Sequence, residues 1–132
     1  MEVRFAMLAD SANVTREGKL NITGIFNQIY AKVFPAGHMA AHLVTQIEAH
    51  AGEVGTHELR ILFVDDDGKL IMETKMEMIV EEPSDPSKPI RANNILPLQV
   101  IPLPAPGDYS FDLFIDGRYE MSVPLSAHVV ES

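Results

Sequence analysis

Three consecutive carboxylates, Asp65, Asp66 and Asp67, are the densest set of hard oxygen ligands in the chain. Such oxygens suit calcium. A helix–loop–helix calcium loop, however, spaces its ligands at alternate positions and closes on a distant glutamate. Here the acids are contiguous, Gly68 follows at once, and alternating apolar runs flank both sides. The pattern reads first as a solvated hairpin turn, because Asp and Gly tolerate positive φ. An end-loop cation site is the weaker reading.

Five histidines, His38, His42, His50, His57 and His128, form the second ligand set. A zinc centre needs two or three of them at one point. His38 and His42 stand one turn apart only if that stretch is helical. His57-Glu58 opens the helical zinc-protease pattern, but Ile61 occupies the position of its second histidine. Surface or rim histidines are the favoured account. Asp108 and Asp112 share a strand face and need no function there. No serine sits in a nucleophile elbow, and no glycine-rich phosphate or dinucleotide loop occurs. Cysteine is absent, which removes disulfides, thiolate nucleophiles and Cys-ligated metals. No catalytic residue and no cofactor are expected.

The elements that would position these residues are extended. Alternation of period two dominates the chain. Val3, Phe5, Met7 and Ala9 share one face of the first segment. Leu20, Ile22, Gly24, Phe26, Gln28 and Tyr30 share a face of the second, where an internal glycine marks a bulge or a close backbone approach. Leu59, Ile61 and Phe63 lead into the acidic turn. Leu70, Met72, Thr74, Met76, Met78 and Val80 return from it, with Ile71 on the opposite, wet face. Tyr109, Phe111, Leu113 and Ile115 run to a tight Asp116-Gly117 hairpin, and Tyr119, Met121, Val123 and Leu125 come back. The methionines of these strands read as core filler.

Two stretches are less regular. Pro97 and Pro102 interrupt Ile90–Pro104, which assigns it to a sheet edge or extended coil. Residues 36–52 carry both patterns. Their alanines favour a helix, and the neighbouring strands favour a strand, which is the preferred reading.

The sum is an all-β fold, a two-layer antiparallel β-sandwich of about eight strands with at most one short helix. Immunoglobulin-like and jelly-roll connectivities both fit. A length of 132 residues suits one domain, 1–132, with no linker or repeat.

The net charge is −9, from 19 acids against 10 bases. That balance repels phosphate backbones and anionic lipid, so neither nucleic acid nor membrane is an expected partner. No run approaches the roughly 20 apolar residues of a membrane span. Glu2 stands where a signal peptide would be basic, and the apolar run ends at Asp10, so the expected compartment is cytoplasmic.

The block Phe5-Ala6-Met7-Leu8-Ala9-Asp10, the run Gly18–Phe26 and the triplet Phe34-Pro35-Ala36 carry a likeness. It continues through Asp65–Gly68, Pro106-Gly107-Asp108-Tyr109 and Val123-Pro124-Leu125. With these residues the chain resembles an uncharacterised family of small bacterial β-sandwich proteins, a domain of unknown function. The resemblance spans nearly the whole chain and implies the sandwich, but no activity. The piece Pro-Gly-x-Tyr-x-Phe is similar to the closing hairpin of many immunoglobulin-like domains, a fold signal only.

Ile71 and Phe114 are apolar on faces that should be wet, and Leu96 and Leu98 lie in the proline-broken edge segment. These four are the candidate contact surface. The functional expectation is a non-catalytic protein-interaction or assembly module, self-associating or bound to an unidentified protein. The alternatives are a small-ligand or carbohydrate-binding sandwich and, below it, a metal-dependent hydrolase.

Overall fold

A computed structural model of the chain describes residues 1–131. It contains nine strands: β1 (Glu2–Val14), β2 (Leu20–Phe26), β3 (Gln28–Ala31), β4 (Ala36–Ala49), β5 (Gly55–Asp65), β6 (Leu70–Val80), β7 (Ile90–Leu103), β8 (Gly107–Ile115) and β9 (Arg118–Val129). One 3-10 turn, Ala51–Glu53, precedes β5. A four-stranded sheet in the order β2-β1-β4-β7 packs on a five-stranded sheet in the order β3-β9-β8-β5-β6. All pairs are antiparallel except β3 with β9.

The expected all-β, two-layer sandwich is therefore observed, with one strand more than foreseen. The extra strand arises because the run from Leu20 to Ala31 changes sheets at Asn27. β2 pairs with β1, while β3 joins the other sheet and covers only Ser126–Val129 of β9. The change also switches the buried face: Phe26 packs on the core before it, and Ile29 is buried after it.

The ambiguous stretch is a strand at the centre of its sheet, between β1 and β7. Ala41, Leu43, Ile47 and Ala49 point inward into the core. Two long neighbours and burial on the inner face outweigh the helix propensity of its alanines. β7 is an edge strand, as its prolines require.

The core lies between the sheets. Phe63 stacks on Phe111 at 4.4 Å and on Tyr109 at 5.3 Å between ring centroids. The Tyr109 hydroxyl donates to the Ala105 carbonyl, so the one polar tip of this stack is satisfied. Met78 is buried, and Met72 and Met76 pack on the core beside it. Thr45 is buried on the inner face, and its hydroxyl has no hydrogen-bond partner among the described residues.

Three β-bulges reset the alternation, because an extra residue on one strand shifts its neighbours to the opposite face. Arg4 is the extra residue between Val3 and Phe5. Val3 packs on the core, but the inner face of β1 then continues through Ala6 and Leu8. Phe5, Met7 and Ala9 point away from the core, the reverse of the expected side. Ile71 is the extra residue opposite Phe63 and Val64, so it turns inward against the core and Leu70 turns out. Glu120 is the extra residue opposite Leu113 and Phe114, and it turns Tyr119 outward beside Phe114.

Candidate functional site

The acidic turn forms as read. The β5–β6 hairpin closes with Asp65 Oδ1 accepting the backbone N–H of Asp67 at 3.0 Å and of Lys69 at 2.8 Å. Gly68 takes the positive φ that such turns need, at 80°. The carboxylates of Asp65, Asp66 and Asp67 do converge within 4.8 Å, and they are the one group of three ligating side chains among the described residues. They could hold a cation. Asp65 nonetheless spends one oxygen on the turn itself, and Asp66 and Asp67 are exposed.

The histidines disperse. The His38 ring lies against Phe26, and the His128 ring stacks on Tyr30. His42 Nδ1 lies 3.1 Å from the Asp10 carbonyl. His50 offers its backbone N–H to Glu53 Oε1 at 3.0 Å.

His57 is different. Its Nδ1 donates to Asp116 Oδ2 at 2.7 Å and its Nε2 donates to the Glu53 carbonyl at 2.6 Å. Both partners accept only, so both ring nitrogens carry protons and the imidazole is a cation. The Asp116 carboxylate, and then the Glu53 carbonyl, raise its pKa above the ordinary 6.5. His57 in turn lowers the Asp116 carboxyl, helped by the Glu58 N–H that donates to Asp116 Oδ1 at 2.9 Å. Glu53 is lowered chiefly by the amino group of Met1, 2.7 Å from its Oε2. A hollow of about 400 Å³ opens beside this cluster, lined also by Lys75, Met76 and Glu77. With both ring nitrogens engaged, His57 clasps β5 to the β8–β9 turn. Sequence reading missed the pair, since joining His57 to Asp116 requires knowing that β5 lies beside β8.

The four residues expected at a contact surface separate. Leu98 is 6% exposed and belongs to the core, and Leu96 and Ile71 pack on the core from its margin. Phe114 is on the outer face of the five-stranded sheet, edge-on to Tyr119 with ring centroids 5.6 Å apart. That face is wet and charged, carrying Glu58, Arg60, Glu73, Lys75, Glu77, Asp108 and Asp112.

The outer face of the four-stranded sheet contrasts with it. Its middle row is Met7 on β1, Val44 on β4 and Ile95 on β7, aligned by register. The next row is Ile25, Ala9, His42 and Pro97. On its far side lie Phe5, Gln46 and Asn93, the latter two joined by a 3.0 Å hydrogen bond. Uncharged Ser11, Thr23, Asn13 and Asn21 continue the face at one end. Glu2, Glu48 and Arg91, aligned across β1, β4 and β7, end it at the other, with Arg4 also on Glu48 at 3.3 Å.

Local backbone extends this neutral face. Ala40 adopts φ 62°, a left-handed conformation that L-residues rarely take. The irregularity leaves Ala41 and Leu98 inward and Ile101 inward, and throws Met39 and Val100 outward between them, 68% and 43% exposed. Ile25 is 62% exposed, while Val44, although outward, is wholly covered by its row neighbours. At Gly24, with φ 72°, an added Cβ would lie 2.3 Å from Asp10 Oδ2, so only glycine lets β2 close against β1 here.

The chain is thus an all-β sandwich domain with one charged and one neutral outer face. Among the described residues no helix is long and apolar enough to cross a membrane. The chain belongs to the family of unknown function DUF6941, whose model matches residues 4–128. This agrees with the likeness to a family without assigned activity that the sequence carries. No curated protein matches the chain significantly.

Proposed function

We propose that this chain is a non-catalytic interaction module that docks a protein through the outer face of its four-stranded sheet. The observation that carries the reading is the contrast between the two outer faces. In a chain of which 22% is charged, an open sheet face centred on Met7, Val44, Ile95 and Ile25 carries charge only at one end, in the row Glu2, Glu48 and Arg91 with Arg4 beside it. Depletion of charge around an apolar centre is what separates interface cores from ordinary surface.

The other readings have less support. A carbohydrate site asks for aromatic rings set along a groove, but Tyr30 is on β3 at one sheet edge and Tyr119 is at the β8–β9 hairpin. A hydrolytic metal centre asks for ligands that are free to bind, and Asp65 is engaged by its own turn. A cytosolic setting agrees with a chain that has no cysteine.

Photo-crosslinking in cells tests the docking face. A photoreactive residue at Ile25 is expected to give discrete protein adducts, and the same residue at Asp108, on the charged sheet, none. Equal labelling from both positions would remove the reading.

A further inference from the structure

We infer that a second copy of this chain pairs with β6, edge to edge and antiparallel, so that two five-stranded sheets become one continuous sheet. This surface is separate from the docking face and does not rest on it. Among the sheet borders, β6 is the one left open. β7 carries Pro97 and Pro102, β9 carries Pro124 where β3 no longer covers it, and β2 is 7 residues long with Gly24 at φ 72° inside it. β6 ends its sheet and runs 11 residues without proline or glycine, presenting a row of unpaired N–H and C=O groups. Its one bulge, at Ile71, lies near the start, so residues 72–80 pair regularly with β5.

The charges on β6 call for opposite charges that β5 does not supply. On the outer face Glu77 stands opposite Glu58, and Lys75 opposite Arg60. Like charges directly opposite are destabilising. Glu73 serves Arg60 at 2.8 Å, and Lys75 reaches that same carboxylate only at 3.9 Å. Among the described residues Glu58 and Glu77 have no ion pair. The hollow of about 400 Å³ at this border, lined by Glu58, Lys75, Met76 and Glu77, leaves room for an incoming ammonium group.

One register answers both needs. A two-fold axis through Met76 sets Lys75 against Glu77 of the second copy and, by symmetry, Glu77 against its Lys75, as an isologous contact demands. An axis at Lys75 would oppose lysine to lysine and Glu73 to Glu77. An axis at Thr74 would run the ladder into the Ile71 bulge. The axis at Met76 pairs residues 72–80 throughout. An antiparallel ladder of that length supplies about 8–10 hydrogen bonds, close to the roughly 10 of a typical interface. Ile79, 65% exposed, comes opposite the methylenes of Glu73 of the second copy. The inner side of the seam holds Met72, Thr74 and Met76, so no charge is carried inward.

Sedimentation velocity on the purified full chain tests the pairing. A dimer is expected between about 1 and 100 µM, the span of modest interface affinities. Lys75→Glu and Glu77→Lys each turn two opposite-charge contacts into like-charge ones and should weaken the dimer at least about fivefold. Each also relieves a like-charge pair inside the chain, so melting temperatures at low concentration should stay near that of the parent or above it. The double variant restores opposite charges across the seam and should regain the parent's dissociation constant to within about threefold. A parent that stays monomeric to about 100 µM, single variants that dimerise like the parent, or a double variant no better than the singles overturns the inference. None of these outcomes alters the Ile25 adduct, which tests the other sheet.

Discussion

His57 Nδ1 and Asp116 Oδ2 lie 2.7 Å apart, joining the start of β5 to the two-residue turn between β8 and β9. The contact sets a pH window for stability. The pKa of His57 is raised on folding, so the folded chain holds more protons and the contribution is complete below the ordinary value of 6.5. It is lost as pH rises through the raised value. Asp116 and Glu53 are lowered, so theirs is complete above their ordinary values of 3.8 and 4.5 and lost as pH falls through the lowered ones. The clasp is therefore strongest between about pH 4.5 and 6.5. Urea unfolding midpoints from pH 5 to 9 should decline on the alkaline side, and His57→Gln should flatten that decline. An unchanged slope in the variant would show that other groups govern it.

Asp116 does a second job in the same turn. It takes φ 50° in a position that favours Asn, Asp or Gly, and its Oδ1 accepts the Glu58 N–H. Asp116→Ala should cost about 1–3 kcal/mol, since it removes both hydrogen bonds and keeps a Cβ in the left-handed region. Asp116→Asn should cost less, because the amide oxygen still accepts and Asn tolerates this φ. Chemical denaturation of the two variants measures the order, and equal losses would contradict it.

Thr45 offers a gain. Its buried hydroxyl lacks a partner among the described residues. Thr45→Val keeps the β-branched shape and removes a polar group whose unpaired burial costs about 1–3 kcal/mol. The melting temperature should rise by several degrees, consistent with about 1 kcal/mol in a domain of this size. A fall would mean that the hydroxyl is satisfied in solution.

Leu98 and Met39 test the placement of the sheet faces. They sit on facing strands two positions apart, yet Leu98 is 6% exposed and Met39 68%. Leu98→Ala should lose about 2–5 kcal/mol as a core cavity, and Met39→Ala less than about 0.5 kcal/mol in the monomer. Thermal unfolding at low protein concentration separates the two, and similar losses would refute the assignment of faces.

Turns were the most legible part of the chain, because their chemistry is local. Asp65–Gly68 and Asp116-Gly117 announce hairpins whatever they connect, and Pro97 and Pro102 announce an edge. Facing was less legible where a bulge intervenes. Ile71 breaks a clean alternation from within, and nothing in its neighbourhood marks it as the extra residue. In β1 both faces are apolar, Ala6 and Leu8 against Phe5, Met7 and Ala9. Periodicity alone picks the larger side chains as core, whereas the fold turns them out. The neutral face is built from four strands distant in sequence, so its lack of charge emerges only when the strand order is known.

β3 reaches only the last turn of β9, so the earlier part of β9 has a free border. The Ser126 N–H donates across that border to Asn27. Alternate residues of a strand aim their N–H groups to the same side, and two positions earlier the chain has Pro124, which has no such hydrogen. β7, at the border of the other sheet, is broken in the same way by Pro97 and Pro102. Borders with missing donors are poor templates for a growing fibre, so these two borders resist recruiting strands from neighbouring copies.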